Sequence, residues 1–126
     1  MVRKIDHIDI RVSDLNAAEA FFAKLGMEVL RRMPAPRNSL EMKLPGDNQV
    51  VFEIRLAKEG EPRGIAHVGF EIDSAEDVEA LEQAGLPFSG KNRFVPASGR
   101  TVSNFTDTDG GKWQLTIAQK EDASNG

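Results

Sequence analysis

The chain carries its own sequence twice. Ile5-Asp6-His7-Ile8-Asp9-Ile10-Arg11-Val12 aligns with Ile65-Ala66-His67-Val68-Gly69-Phe70-Glu71-Ile72, about sixty residues further on, and the only two histidines fall on matching positions. Val51-Phe52-Glu53-Ile54-Arg55-Leu56 lies over Lys112-Trp113-Gln114-Leu115-Thr116-Ile117 at a similar offset, which sets Gln114 opposite Glu53. Self-similarity of this kind restricts the fold to one built from a repeated supersecondary unit. With 126 residues, 40% hydrophobic and 29% charged, both copies fit in a single domain, 1–126, with an adequate core.

Each copy reads as strand, helix, then three strands. In the first, residues 4–12 alternate, Asp14 is placed to cap a helix, and Leu15, Ala18, Phe21, Phe22 and Leu25 recur at helical spacing before Gly26 ends it. Strands are expected around 27–33, 40–44 and 50–56. Pro34 and Pro36 separate the first two, and Pro45-Gly46-Asp47-Asn48 forms a turn before the third. After a polar connector at 59–64, Ser74 caps a second helix through Val78, Leu81 and Ala84 to Gly85. A short strand is expected near 87–89 and longer ones at 101–106 and 112–118, with 90–100 an irregular loop and the polar tail from Lys120 frayed. The modules run over about 1–58 and 63–120, and the repeat predicts equivalent places for Phe21 and Leu81.

Strand alternation assigns the faces. Ile8, Ile10 and Val12 share one side of the first strand and His7, Asp9 and Arg11 the other; Phe52, Ile54 and Leu56 oppose Glu53 and Arg55; Trp113, Leu115 and Ile117 oppose Gln114 and Thr116. A βαβββ unit leaves one sheet face that its single helix cannot cover. Two units therefore predict an α+β fold in which a curved eight-stranded sheet encloses a cleft, with the helices outside. On this reading the polar face packs no core, so Asp9→Ala should cost far less stability than Ile10→Ala or Phe70→Ala.

The formal net charge of -4, with Arg and Lys scattered, argues against nucleic acid or an anionic membrane as the main partner. No apolar run reaches signal-peptide or membrane-spanning length, which predicts a cytoplasmic location. The absence of Cys confines any metal to nitrogen and oxygen ligands, favouring Zn, Ni, Co, Mn or Fe. Two His, one Glu and one Gln at repeat-matched positions on the polar face are the candidate set.

These residues carry a resemblance. Asp6-His7-Ile8 leading to Val12-Ser13-Asp14-Leu15, then Phe21-Phe22-Ala23-Lys24-Leu25-Gly26-Met27-Glu28-Val29, then His67-Val68-Gly69-Phe70, and Phe105-Thr106-Asp107-Thr108-Asp109-Gly110-Gly111-Lys112-Trp113-Gln114-Leu115 together resemble the vicinal oxygen chelate superfamily. That superfamily includes glyoxalase I, bleomycin-resistance proteins and extradiol dioxygenases. The resemblance implies a divalent metal held by the first and fourth strands of each unit, hence by His7, Glu53, His67 and Gln114, the last standing where glyoxalase I usually has Glu. Two imidazoles, one carboxylate and one amide would leave a divalent ion with surplus positive charge for two substrate oxygens.

Glu53, the only carboxylate of the set, is then the expected general base, with Glu71 or Glu41 next in line. Arg11, Arg55 and Lys43 on the same side suggest an anionic or carbonyl-bearing substrate, Arg11 and Arg55 contacting it. The expected protein is a homodimeric glyoxalase-like lyase or isomerase working through a metal-stabilised enolate. A bleomycin-resistance-like protein that binds a drug or metabolite without catalysis is the alternative, and a two-His-one-carboxylate Fe(II) dioxygenase is a third reading.

Overall fold

The structure, a computed structural model, describes residues 1–117. The order among them is β1 (Val2–Val12), α1 (Leu15–Ala23), β2 (Glu28–Met33), β3 (Ser39–Lys43), β4 (Val51–Leu56), β5 (Gly64–Ile72), α2 (Ala75–Gln83), β6 (Phe88–Val95), β7 (Arg100–Thr106) and β8 (Lys112–Ile117). The fold is α+β, and hydrogen bonding orders the strands β2-β3-β4-β1-β5-β8-β7-β6 in one eight-stranded sheet. The βαβββ repeat is thus present in both halves. The expected frayed tail lies outside the described residues.

The chain divides into two compact units, Ile5–Gly69 and Met1–Lys4 with the chain from Phe70 onward, so the boundary falls inside β5. In the unit Ile5–Gly69, Asp14 caps α1 by accepting from the Ala17 N–H at 2.9 Å. Gly26 follows the helix at φ +94°, a conformation that a side chain would strain. The chain returns through β2 and β3, antiparallel to each other, to β4, which pairs antiparallel with β3 and parallel with β1. Leu40 and Met42 of β3 lie opposite Ile54 and Phe52 of β4. Leu40, Met42, Ile54 and Met27 form a buried core, against which Val12, Leu15, Ala18, Phe22 and Phe52 pack. The helix-facing side of these strands is the apolar one, as the alternation predicts.

In the other unit, Ile72, Val78 and Leu115 are the core, with Phe70, Leu81, Phe88, Phe105 and Ile117 against it. Phe70 stacks on Trp113 with centroids 5.6 Å apart. The Asp107 carboxylate ties the turn before β8, accepting from the Trp113 Nε1–H at 2.7 Å and from the backbone of Asp109 and Gly111. Those bonds, the Trp113 one first, hold its carboxyl below the usual carboxylate range.

Three expectations need correction. Residues 90–100 are largely strand. β6 runs to Val95 against β7, but register shifts around Gly90 and a left-handed Asn92 (φ +51°) erase the alternation by which a strand is recognised. Phe21 and Leu81 hold the same seventh place in their helices but not the same environment, since Phe21 is 58% exposed whereas Leu81 packs on its core; in α1 that task falls to Phe22. The polar face, expected to line a cleft and pack no core, is also buried. His7 and Asp9 are each 1% exposed, while Ile8 and Ile10 are only half-buried.

Candidate functional site

Within the unit Ile5–Gly69 the two histidines meet. His7 Nδ1 lies 2.8 Å from the Asp6 carboxylate, which makes Nδ1–H the donor and leaves the lone pair on Nε2. His67 Nε2 stands 3.3 Å from that Nε2, with the rings edge to face and their centroids 5.4 Å apart. Burial pushes the His67 pKa below its ordinary value, opposed by Asp9 and Glu53 and aided by His7 and Arg11. A neutral imidazole is the ligating form.

Gly69 sets this geometry. A Cβ there would fall 2.6 Å from His7 Nδ1 and 2.7 Å from His7 Nε2, so the imidazole lies flat against a backbone that only glycine leaves open. Gly69→Ala should push the His7 ring off His67 and cost about 1–3 kcal/mol by overpacking. Histidine ring NMR shifts read the displacement, and a shift at His67 but not His7 would contradict it.

Two in-register rows cross β3, β4 and β1 on the same face. Glu53 lies opposite Glu41 on one side and Asp9 on the other, and Arg55 lies opposite Ser39 and Arg11. Like charges placed directly across strands repel. Ion pairs along β1 and from the connectors relieve the repulsion. Arg11 donates to Asp9 at 2.7 Å and reaches Glu61 at 3.4 Å, and Arg37 donates to Glu53 at 2.8 Å.

Asp9, expected to be dispensable, is a buried carboxylate whose charge is balanced by a fixed guanidinium. Its removal leaves that guanidinium with only the longer contact to Glu61, so Asp9→Ala should cost about 3 kcal/mol. Urea unfolding alongside Ile10→Ala checks it, and the smaller loss at Asp9 would restore the original expectation.

Among the other expected site residues, Lys43 Nζ donates to the Gly46 carbonyl at 3.0 Å, and Glu71 lies 3.9 Å from Arg3. Gln114, in the other unit, donates its amide N–H to Asn104 at 3.0 Å, which directs its carbonyl oxygen elsewhere as an acceptor. Among the described residues no three His, Asp or Glu side chains stand together as a metal site. The pair His7 and His67 nonetheless fits one. Two nitrogens bound at about 2.0–2.1 Å to a tetrahedral ion lie about 3.3–3.4 Å apart, and these are 3.3 Å apart. Glu53, held by Arg37, is not part of that pair.

Sequence reading missed Asp6, Asp9 and Arg37. Asp9 carried a signal, its alternation with His7 and Arg11. Arg37 carried none, because it sits in the connector between β2 and β3, where no periodicity fixes direction.

Residues 4–115 match the Glyoxalase/Bleomycin resistance protein/Dioxygenase superfamily. No curated protein matches the sequence. Among solved structures, a variant of Streptomyces coelicolor methylmalonyl-CoA epimerase in complex with 2-nitronate-propionyl-CoA superposes with a TM-score of 0.77 at 18% identity, covering 95% of this chain and 100% of that one. Methylmalonyl-CoA epimerase from Mycobacterium tuberculosis gives 0.71 at 18% identity, covering 95% and 91%. A hypothetical protein from Bacillus halodurans gives 0.74 at 18% identity, covering 94% and 96%. These likenesses establish the shared fold.

Proposed function

Because the chain belongs to the Glyoxalase/Bleomycin resistance protein/Dioxygenase superfamily, we propose that it is a metal-dependent lyase or isomerase that shifts a proton on a small substrate with vicinal oxygens. The observation that carries the reading is the pair of imidazole Nε2 atoms, 3.3 Å apart, one of them oriented by a carboxylate. A divalent metal bound there would supply positive charge to polarise substrate oxygens and acidify the adjacent C–H.

His7 and His67 hold the metal in this reading, and Glu53 is the proton carrier. Its carboxylate accepts the proton from one substrate carbon and returns it to the neighbouring one. Arg37 holds Glu53 Oε1 at 2.8 Å, so the oxygens of the base have a set direction. Arg11 and Arg55 stand opposite each other one row away and would face the anionic part of the substrate. Two of the similar folds are named as epimerases, and an epimerisation shares with this reaction its first step, removal of a proton from a carbon next to a carbonyl.

A bleomycin-resistance-like binder without catalysis is the second reading. The Arg37–Glu53 ion pair favours it, because a carboxylate neutralised in this way has a structural partner already. Titration of metal-free protein with Co(II) separates the two. The enzyme reading expects one ion per chain with visible d–d bands of imidazole coordination. A featureless spectrum with no bound ion would leave the binder.

A further inference from the structure

Arg55, on the polar face, has a guanidinium nitrogen with no hydrogen-bond partner among the described residues. This nitrogen, Nε, is shut off from solvent. Arg11 and Arg37, the neighbouring guanidiniums, each hold a carboxylate. A buried polar hydrogen without an acceptor is destabilising, the more so when the group is charged. Desolvation, and then Arg11 and Arg37, disfavour the charge on Arg55, while Asp9 and Glu53 only partly restore it. The position is therefore strained by an unmet demand for a negatively charged acceptor.

We infer that Arg55 is the recognition residue for a carboxylate carried by the substrate, which its Nε–H and an adjacent Nη–H grip as a fork once the side chains covering Nε move aside. This rests on the proposed proton-transfer site and names the substrate class it takes. Two features choose a carboxylate over a phosphate. The fork of one guanidinium matches two oxygens in a plane. The surroundings include Asp9, Glu41, Glu53 and Glu61, so a monoanion meets less repulsion than a dianion would.

Spacing narrows the class further. Arg55 follows Glu53 by two residues on the same strand face, about 6.6 Å along β4. A carboxylate on Arg55 therefore leaves the carbon that meets Glu53 within a few bonds. The substrate is a small carboxylic acid whose reactive C–H lies close to the carboxylate.

The Nε–H of Arg55 is itself the reporter. Its proton–nitrogen NMR cross-peak, assigned with Arg55→Lys, is followed while the protein, metal-free and then Zn-loaded, is titrated with acetate, propionate, propionamide or inorganic phosphate. The inference expects a saturable downfield shift with the carboxylates and none with propionamide. It expects Arg55→Gln to weaken carboxylate binding about 10- to 100-fold, the loss of a charge-assisted hydrogen bond, with Arg55→Lys in between. Equal shifts from propionamide, tighter binding of phosphate, unchanged binding by Arg55→Gln, or no shift in either metal state would each overturn it. Co(II) binding by His7 and His67 is measured on the same samples. Loss of carboxylate recognition with Co(II) binding intact removes this inference alone, and the converse removes the metal reading alone.

Discussion

His7→Ala and His67→Ala are each expected to abolish stoichiometric uptake of a divalent metal, weakening Co(II) binding by at least about 100-fold. Loss of an outer partner such as Asp6 already costs metal sites about 10- to 100-fold, and loss of a nitrogen donor itself costs more. The two variants differ in what else they disturb. His7 is 1% exposed and lies against Gly69, so its truncation leaves a cavity and lowers stability as well. His67 is half-buried, and its replacement tests the ligand role with less collateral change. Circular dichroism fixes the folded fraction before each titration. Full occupancy in the folded fraction of either variant would rule that residue out as a ligand.

Glu53→Gln is expected to retain much of the metal affinity and to lose turnover by about 10²–10⁴-fold, the contribution of a general base. The substitution is close to isosteric at a position only 6% exposed, and an amide oxygen still accepts from Arg37. What it removes is the proton-accepting oxygen. The assay compares wild type and variant at matched metal occupancy, on an acid of the class that Arg55 selects. Undiminished turnover would move the base to Glu41, which lies directly across from Glu53 on β3. Glu71 is a weaker substitute, being drawn toward Arg3 at 3.9 Å.

Local patterns settled much of the architecture. Strict alternation in Val51 to Leu56, and capping chemistry at Asp14, are set by near neighbours in the chain, so the strand, its helix-facing side and the helix start were all legible. The same rule failed at β6, where bulges shift the register and break the period. It failed also at Phe21 and Phe22, adjacent residues of which helical spacing accepts both and only packing against Met27, Leu40 and Ile54 selects one.

For the site, the sequence by itself determined which face each candidate occupies, because a side chain's direction along a strand follows from the period of two. It also determined that the two histidines are repeat-matched. Only the tertiary structure decided what those groups touch. Arg37 reaches Glu53 from sixteen residues away, and Gly69 makes room for His7 from across the unit. Burial of the polar face was decided there too: whether Asp9 is solvated or sealed against Arg11 depends on what covers the strand, and no periodicity along the chain records that. Whether a charge is expendable or structural is a property of its desolvation, and desolvation is set by residues distant in sequence.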